Sequence, residues 1–193
     1  RECIVRIIRD RIAPGGLVYL SYNAFPGWAP LIPIQKLFRD RAAQLGDTPI
    51  LTKLADGFRM FRSLAAVGAL GISLNRAVVP QMLASEVADQ QYVTHEFLNE
   101  NWKIFHFSEV VSDMVRAGVA YVGQSRPLDR VTSIGLTPEQ MTLLSTVADP
   151  VERESLRDLI INRFFRADIF ACPATASTTT ARGSSDHAQQ WFS

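Results

Sequence analysis

The sequence predicts an α/β fold in which helices outnumber strands. Residues 17–22 form a short, mostly apolar run directly after a helical stretch, as expected for a buried strand. Apolar residues at helical spacing then dominate residues 31–100 and recur in two stretches after residue 137. Residues 108–123 repeat the order helix, glycine, strand, which is typical of α/β sheets.

The first predicted elements are a helix over residues 2–12 and a strand over residues 17–22. The helix carries isoleucine and valine at helical spacing between arginines, and Pro14, Gly15 and Gly16 break it. We expect the strand to be buried on both faces of a parallel sheet. Ligands in such sheets bind beyond the carboxyl ends of the strands, so residues 21–28 are predicted to border the ligand-binding site.

The middle of the chain is predicted to be helical. Between Leu31 and about residue 100, apolar residues at helical spacing indicate three or four helices and no convincing strand. A break is expected around residues 68–75, and Pro80 begins a further apolar stretch. This region reads as a helical insertion between two parts of a sheet.

Residues 102–107 fit either a short strand or an extended connector. Their aromatic side chains could form a cage for a cationic ligand, but core packing is the commoner role of such a run. Ser108 is the predicted N-cap of the next helix and Gly118 its C-cap. Residues 119–123 then read as a strand.

Two later helices begin at well-defined caps. Thr137 with Gln140, and Asp149 with Glu152, follow the capping-box pattern, and a proline follows each cap. The helices are predicted over about 138–147 and 150–166. Arg166 and Asp168, at the end of the second, are candidates for an ion pair without an assigned chemical role.

The end of the chain changes composition. From Cys172 onward it consists mainly of alanine, threonine, serine and glycine, with few large apolar residues before Trp191 and Phe192. Such a segment buries too little surface to offset its ordering entropy. We therefore expect residues 171–193 to be a disordered tail.

Composition and charge exclude several functional classes. Hydrophobic residues make up 47% of the chain and charged residues 20%, which is ordinary globular composition. The 20 basic and 19 acidic residues give a net charge of +1 without a basic cluster, so no nucleic-acid partner is expected. No stretch approaches the roughly 20 apolar residues of a membrane span.

The two cysteines, Cys3 and Cys172, lie near opposite ends of the chain. A disulfide between them is the less favoured possibility, because the count fits a reducing compartment. We therefore expect a cytoplasmic location. Without a CxxC pair, the sequence offers no framework for a structural zinc site.

Tyr22, Asn23 and Trp28 are the first candidate substrate-binding residues, because they follow the predicted strand directly. Asn23 would offer amide hydrogen bonds, while Tyr22 and Trp28 would form an apolar wall for a substrate. The alternative is an ordinary exit from a strand into a Pro-Gly turn.

His95, Glu96 and Asn99 form a second candidate group. Their spacing resembles the HExxH motif of zinc peptidases, but Asn99 stands where the second histidine would be, and an amide is a weak zinc ligand. A metal site is therefore not expected. These residues either make local hydrogen bonds or line a cleft as acid–base or substrate-binding groups, and for His95 a structural role is favoured.

Three segments in this order resemble one family. They are similar to bacterial class I S-adenosylmethionine-dependent methyltransferases that carry a methyltransferase regulatory domain: residues 13–28 with APGG, SYN and PGW, residues 92–99 (YVTHEFLN), and residues 107–123 with FSEVV, AG and YVG. Residues 153–170 are also similar to the family's downstream region. The resemblance implies the C-terminal part of a Rossmann-like methyltransferase sheet. Because known members include protein-lysine methyltransferases, a protein acceptor is implied by analogy.

The sequence departs from the family in its cofactor residues. The glycine-rich loop and the acidic ribose-binding residue of such enzymes have no counterpart here. S-adenosylmethionine is thus the implied cofactor of a longer parent enzyme, with its binding elements upstream of Arg1. We expect no appreciable cofactor binding by the chain alone. The alternative hypothesis is a non-catalytic helical regulatory module that gates a partner methyltransferase.

The resemblance also implies a division of the chain into five parts. These are a late helix and strand of the core (1–29), a helical lid or regulatory insertion (30–100), a strand–helix–strand segment that completes the core (101–125), a downstream helical region (126–170) and the tail (171–193).

Overall fold

A computed structural model describes residues 1–75, 78–126 and 135–174. The chain is mostly helical, with one small antiparallel sheet. The helices are α1 (Glu2–Arg11), α2 (Ile32–Gln44), α3 (Ile50–Ala66), α4 (Leu70–Ser73), α5 (Val78–Glu86), α6 (Gln90–Leu98), α7 (Phe107–Arg116), α8 (Pro138–Ser145) and α9 (Pro150–Ile160). The strands are β1 (Leu17–Asn23), β2 (Ala120–Gln124) and β3 (Phe165–Ala171).

The sheet has the order β1-β3-β2, and both pairings are antiparallel. The expectation that β1 is buried on both faces of a parallel sheet is therefore wrong for the described residues. Leu17 and Tyr19 on one face of β1 are 67% and 59% exposed. The opposite face, with Val18 and Leu20, packs against the sheet core.

The central strand β3 was predicted as the end of a helix reaching residue 166, and this prediction is wrong. The helix α9 ends at Ile160, and Asn162 adopts the left-handed conformation (φ 51°), which asparagine tolerates and which a helix cannot continue through. The chain then extends into β3. Arg166 lies opposite Tyr22 of β1, and Asp168 lies opposite Leu20.

The described residues contain two hydrophobic cores. The helical core lies among the helices α2–α6 and consists of Leu31, Ile34, Phe38, Leu54, Phe58, Phe61, Ile72, Val78, Met82, Val93 and Phe97. The sheet core lies between the sheet, α1 and α7 and consists of Val5, Phe107, Val110, Val111, Met114, Ala117, Val119 and Phe170. The fold class predicted from sequence, a mostly helical α/β fold, is confirmed.

The region from residue 31 to about residue 100 is helical as predicted, although the five helices α2–α6 exceed the three or four expected there. Phe38 is fully buried at its centre and packs edge-on against Phe58, with ring centroids 4.9 Å apart. Gly57 on α3 allows this approach, since a Cβ atom at Gly57 would lie 2.5 Å from the Phe38 ring. Spacing of apolar residues thus predicted this region correctly, while short helix breaks escaped it.

The predicted caps are partly confirmed. Thr137 and Gln140 form a complete capping box at α8, and the Asp149 side chain accepts hydrogen bonds at the start of α9. Gly118 follows α7 with φ of 80°, as expected for a glycine at a helix end. The prediction of Ser108 as N-cap is wrong, because α7 begins at Phe107 and its N-cap is His106.

Several predictions concern the chain ends. A disordered tail was predicted for residues 171–193. Its first two residues are instead ordered, because Ala171 ends β3 and Cys172 N–H donates a hydrogen bond to the Gly16 carbonyl. Residues 175–193 lie outside the described residues. Cys3 and Cys172 are free thiols. Across the described ranges, the helices are all too short or too polar to cross a membrane.

Candidate functional site

The candidate site is centred on the carboxylate of Glu96, and we call Glu96 with Asn23 and Trp102 the Glu96 site. Asn23 Nδ2 donates a hydrogen bond of 2.8 Å to Glu96 Oε2, and Trp102 Nε1 donates one of 3.0 Å to the same oxygen. The three residues come from the end of β1, from α6 and from the extended connector before α7. Residues predicted as two separate groups therefore meet at one carboxylate.

Backbone hydrogen bonds fix the end of β1 against the connector. Phe105 N–H donates to the Asn23 carbonyl at 3.0 Å, and Phe25 N–H donates to the Phe105 carbonyl at 3.0 Å. Ala24 thereby forms an isolated parallel bridge with Phe105. This pairing holds Asn23 at a defined position at the end of β1, where its side chain reaches α6.

Aromatic rings border the carboxylate. The Trp28 ring packs edge-on against Trp102, with centroids 5.7 Å apart, and against Phe164 at 6.4 Å. Tyr92, one turn before Glu96 on α6, interacts with it, and partial burial together with the Glu96 charge raises the pKa of Tyr92. A carboxylate bordered by indole rings is suited to bind an organic cation, since both attract positive charge.

The other predicted site residues lie elsewhere. His95 is exposed on α6. The Asn99 side chain accepts a hydrogen bond from Asn101 N–H at 2.8 Å. The Asn99 backbone carbonyl accepts one from the Gln35 side chain at 3.1 Å. Asn99 therefore stabilises the end of α6. Tyr22 points to the opposite face of β1, where its hydroxyl donates to Asp168 Oδ2 at 2.7 Å.

That opposite face carries a buried cluster of charges, which we call the Arg166 cluster: Arg166, Asp158, Asp168, Glu154, Tyr22 and Tyr121. Arg166 is fully buried and donates through Nη1 to both oxygens of Asp158 at 2.8 Å, and through Nε to Asp168 at 3.0 Å. Its Nη2 donates to Glu154 and to the Tyr121 hydroxyl, each at 3.1 Å. The guanidinium carbon lies 3.9 Å from the centroid of the Phe107 ring.

Burial and charge shift several pKa values in the Arg166 cluster. Burial raises the pKa of Asp158 despite the adjacent Arg166. Burial alone would lower the pKa of Arg166, but the hydrogen bond with Asp168 and the charge of Asp158 raise it, so Arg166 stays charged. Burial and the charge of Asp168 raise the pKa of Tyr22, which therefore remains a hydroxyl donor at neutral pH.

Sequence reasoning missed two features of these sites. Trp102 was considered only as part of an aromatic cage or of the hydrophobic core. Its hydrogen bond to Glu96 was not predicted, although an indole N–H usually finds a partner when buried and Glu96 lies six residues earlier. The proposed ion pair of Arg166 with Asp168 is confirmed, but its complete burial was not predicted.

The described residues show no metal-binding cluster, and the turn after β1 is closely packed. Residues 1–75, 78–126 and 135–174 contain no group of three His, Cys, Asp or Glu side chains that could hold a metal ion. The turn after β1 is closed rather than cradle-shaped, because a Cβ atom at Gly27 would lie 2.6 Å from the Arg163 carbonyl oxygen. The space in this turn is therefore filled by the segment that precedes β3.

Comparison with known proteins identifies the family. Residues 89–190 match the family described as a predicted methyltransferase regulatory domain. This match spans more than half of the chain, which therefore belongs to that family of methyltransferase-associated proteins.

Particular relatives agree with this assignment. The chain is 34% identical over 170 residues to an uncharacterized protein of Synechocystis, a match covering 88% of the chain and 33% of the relative. It is 22% identical over 174 residues to an uncharacterized protein of Rickettsia prowazekii, covering 88% of the chain and 30% of the relative. The chain thus spans about a third of the length of these relatives.

Solved structures share the fold. PKMT2 from Rickettsia typhi in complex with AdoHcy superposes with a TM-score of 0.67 at 20% identity, covering 88% of this chain and 32% of that one. A second structure of PKMT2 gives a TM-score of 0.64 at 19% identity, covering 88% and 31%. At this level of identity the likeness establishes the fold.

Proposed function

We propose that this chain forms the acceptor side of an S-adenosylmethionine-dependent methyltransferase, and that the acceptor is a lysine of a protein. The observation that carries the proposal is the Glu96 carboxylate, held by Asn23 and Trp102 just beyond the end of β1. The fold neighbour PKMT2 from Rickettsia typhi, solved in complex with AdoHcy, supports a role in methyl transfer.

In this proposal, the residues of the chain bind and orient the acceptor. The Glu96 carboxylate attracts the lysine ammonium, and the rings of Trp28 and Trp102 line the path of its aliphatic stem. Positioning of the amine and exclusion of water are the contributions expected from such a site. His95 and Asn99 were also proposed as substrate-binding residues, and both remain proposals, with Asn99 acting through the end of α6.

The parts of the chain divide this work. The proposed sheet side consists of residues 1–29 and 101–125, and β3 adds its central strand. The proposed lid consists of residues 30–100. Residues 126–170 remain the proposed downstream region. The cofactor is proposed to bind to a segment that this chain does not contain, in the reducing environment of the cytoplasm.

A non-catalytic regulatory module is the second candidate. The closed turn at Gly27 and the separate helical core favour it, since both allow the chain to be stable without forming a complete active site. Under this hypothesis the helices α2–α6 gate a partner methyltransferase and the Glu96 site only connects α6 to the sheet.

The test is methyl transfer by a longer protein in which this chain follows a glycine-rich cofactor-binding segment. With tritiated S-adenosylmethionine and a lysine-rich acceptor protein, we expect label on lysine Nζ and none when the acceptor lysines are acetylated. We expect this chain alone to give no heat of binding with S-adenosylmethionine in calorimetry. A folded longer protein that binds the cofactor but methylates no protein lysine would contradict the proposed acceptor, and micromolar cofactor binding by this chain alone would contradict the division of labour.

A further inference from the structure

A broad cleft lies beside Trp102, and Glu96 does not line it. It has a volume of about 840 Å³ and is bounded by α2, the start of α3 and the connector before α7, and we call it the α2 cleft. That volume lies at the upper end of the roughly 300–1,000 Å³ typical of ligand pockets.

The wall of the α2 cleft is apolar on the connector side. Phe25, Trp102 and Ile104 contribute side chains there, and Leu98 and Ile32 lie at its ends. Each of these residues is only partly buried or exposed within the described chain. Apolar side chains beside charged ones can bind a partner that carries both apolar and oppositely charged groups.

The rim of the α2 cleft carries an excess of positive charge. Lys36 and Asp40 pair with each other at 2.6 Å and so cancel. Arg39, Lys53 and Lys103 remain against the single carboxylate of Glu100. None of these three cations has a salt-bridge partner within residues 1–75, 78–126 and 135–174.

We propose that the α2 cleft binds an extended, acidic segment of a partner protein. Leucine-like side chains would pack on the wall of Phe25, Trp102 and Ile104, while carboxylates would meet Arg39, Lys53 and Lys103. A nucleic-acid strand fits less well, because Asp40 and Glu100 also lie at the rim and would repel a continuous row of phosphates. This binding activity rests on the cleft alone and does not require the proposed methyl transfer.

The test uses fluorescence anisotropy of the fluorescein-labelled peptide Glu-Leu-Glu-Glu-Leu-Gly-Glu-Leu and of its match with glutamine in place of every glutamate. We expect the glutamate peptide to bind about tenfold more tightly than the glutamine peptide at low salt, and the difference to shrink as salt is added. Equal affinity for the two peptides would overturn the proposal. So would tighter binding of a labelled oligothymidylate than of the glutamate peptide.

Charge-reversal variants locate the site. Lys53→Glu and Lys103→Glu, each with an unchanged circular dichroism spectrum, should weaken binding of the glutamate peptide about fivefold. The control Arg6→Glu makes the same charge change on α1, outside the α2 cleft, and should alter the affinity less than about twofold. Equal weakening by Arg6→Glu and Lys53→Glu would show that binding follows net charge, and would refute the assignment to this cleft.

Discussion

The two cores of this protein are both apolar, but the sheet region also buries a cluster of charges. The helical core among α2–α6 is built from aliphatic and aromatic side chains, with Phe38 fully buried at its centre. The sheet instead carries the Arg166 cluster, in which one fully buried guanidinium contacts three carboxylates. The helical region also has a buried carboxylate, Asp56, but its partner Arg41 at 2.7 Å is 24% exposed, so this ion pair keeps contact with solvent.

This difference makes the two regions sensitive to different changes. The stability of an apolar core depends on the volumes of its side chains, because its contacts are many and individually weak. The stability of a buried charge cluster depends on every partner, because removal of one leaves the other charges buried without a counter-charge or solvent. The Glu96 site lies where the two regions meet, so each region contributes to its geometry.

Loss of Arg166 should have the largest effect on stability. Arg166→Ala leaves the carboxylates of Asp158 and Asp168 buried without their cation, and should lower the free energy of unfolding by about 3–5 kcal/mol. The loss should shrink as the pH falls, because the unpaired carboxyls then take up protons. Urea denaturation at several pH values measures both effects.

The matched control for this prediction is Arg153→Ala, which removes an arginine from the exposed side of α9. It should change the free energy of unfolding by less than about 0.5 kcal/mol. If Arg166→Ala cost no more than Arg153→Ala, the buried cluster would not stabilise the sheet as described.

A smaller effect is expected from overfilling the helical core. Gly57→Ala places a methyl group 2.5 Å from the buried Phe38 ring, and should destabilise the protein by about 1–3 kcal/mol despite the better helix propensity of alanine. Gly71→Ala on α4 is the control, since a Cβ atom there meets nothing within 4 Å and should be neutral or stabilising by up to about 1 kcal/mol. Thermal unfolding of both variants would reveal equal effects if packing against Phe38 were unimportant.

The same contrast explains how far the sequence predicts the fold. Apolar spacing and caps locate α2, α3 and α8 because each signal is local to its helix. The strand β3 escaped prediction because its buried face consists of Arg166, Asp168 and Phe170, whereas charged residues normally indicate a solvated face. Only the antiparallel pairing with β1 and the carboxylates of α9 make that burial possible.

The Glu96 site was predictable in part. Asn23 and Glu96 were both identified as polar residues near the proposed chemistry, but 73 residues separate them, and no local pattern indicates that they meet. His95 was predicted as a site residue together with Glu96. It is exposed, because adjacent positions on a helix point in different directions. Tyr22 was grouped with Asn23, although alternation along β1 sends their side chains to opposite faces.

The most direct test of the acceptor-site proposal is the KM for the protein acceptor in a longer methyltransferase containing this chain. Glu96→Gln preserves an oxygen acceptor for Asn23 and Trp102 but removes the charge, so it should raise the acceptor KM by about tenfold and leave the affinity for S-adenosylmethionine unchanged. Glu100→Gln removes the same charge four residues away and should change this KM less than about twofold. An acceptor KM that is unaffected by Glu96→Gln, or one that moves equally in both variants, would contradict the assignment of Glu96 as the acceptor-binding carboxylate.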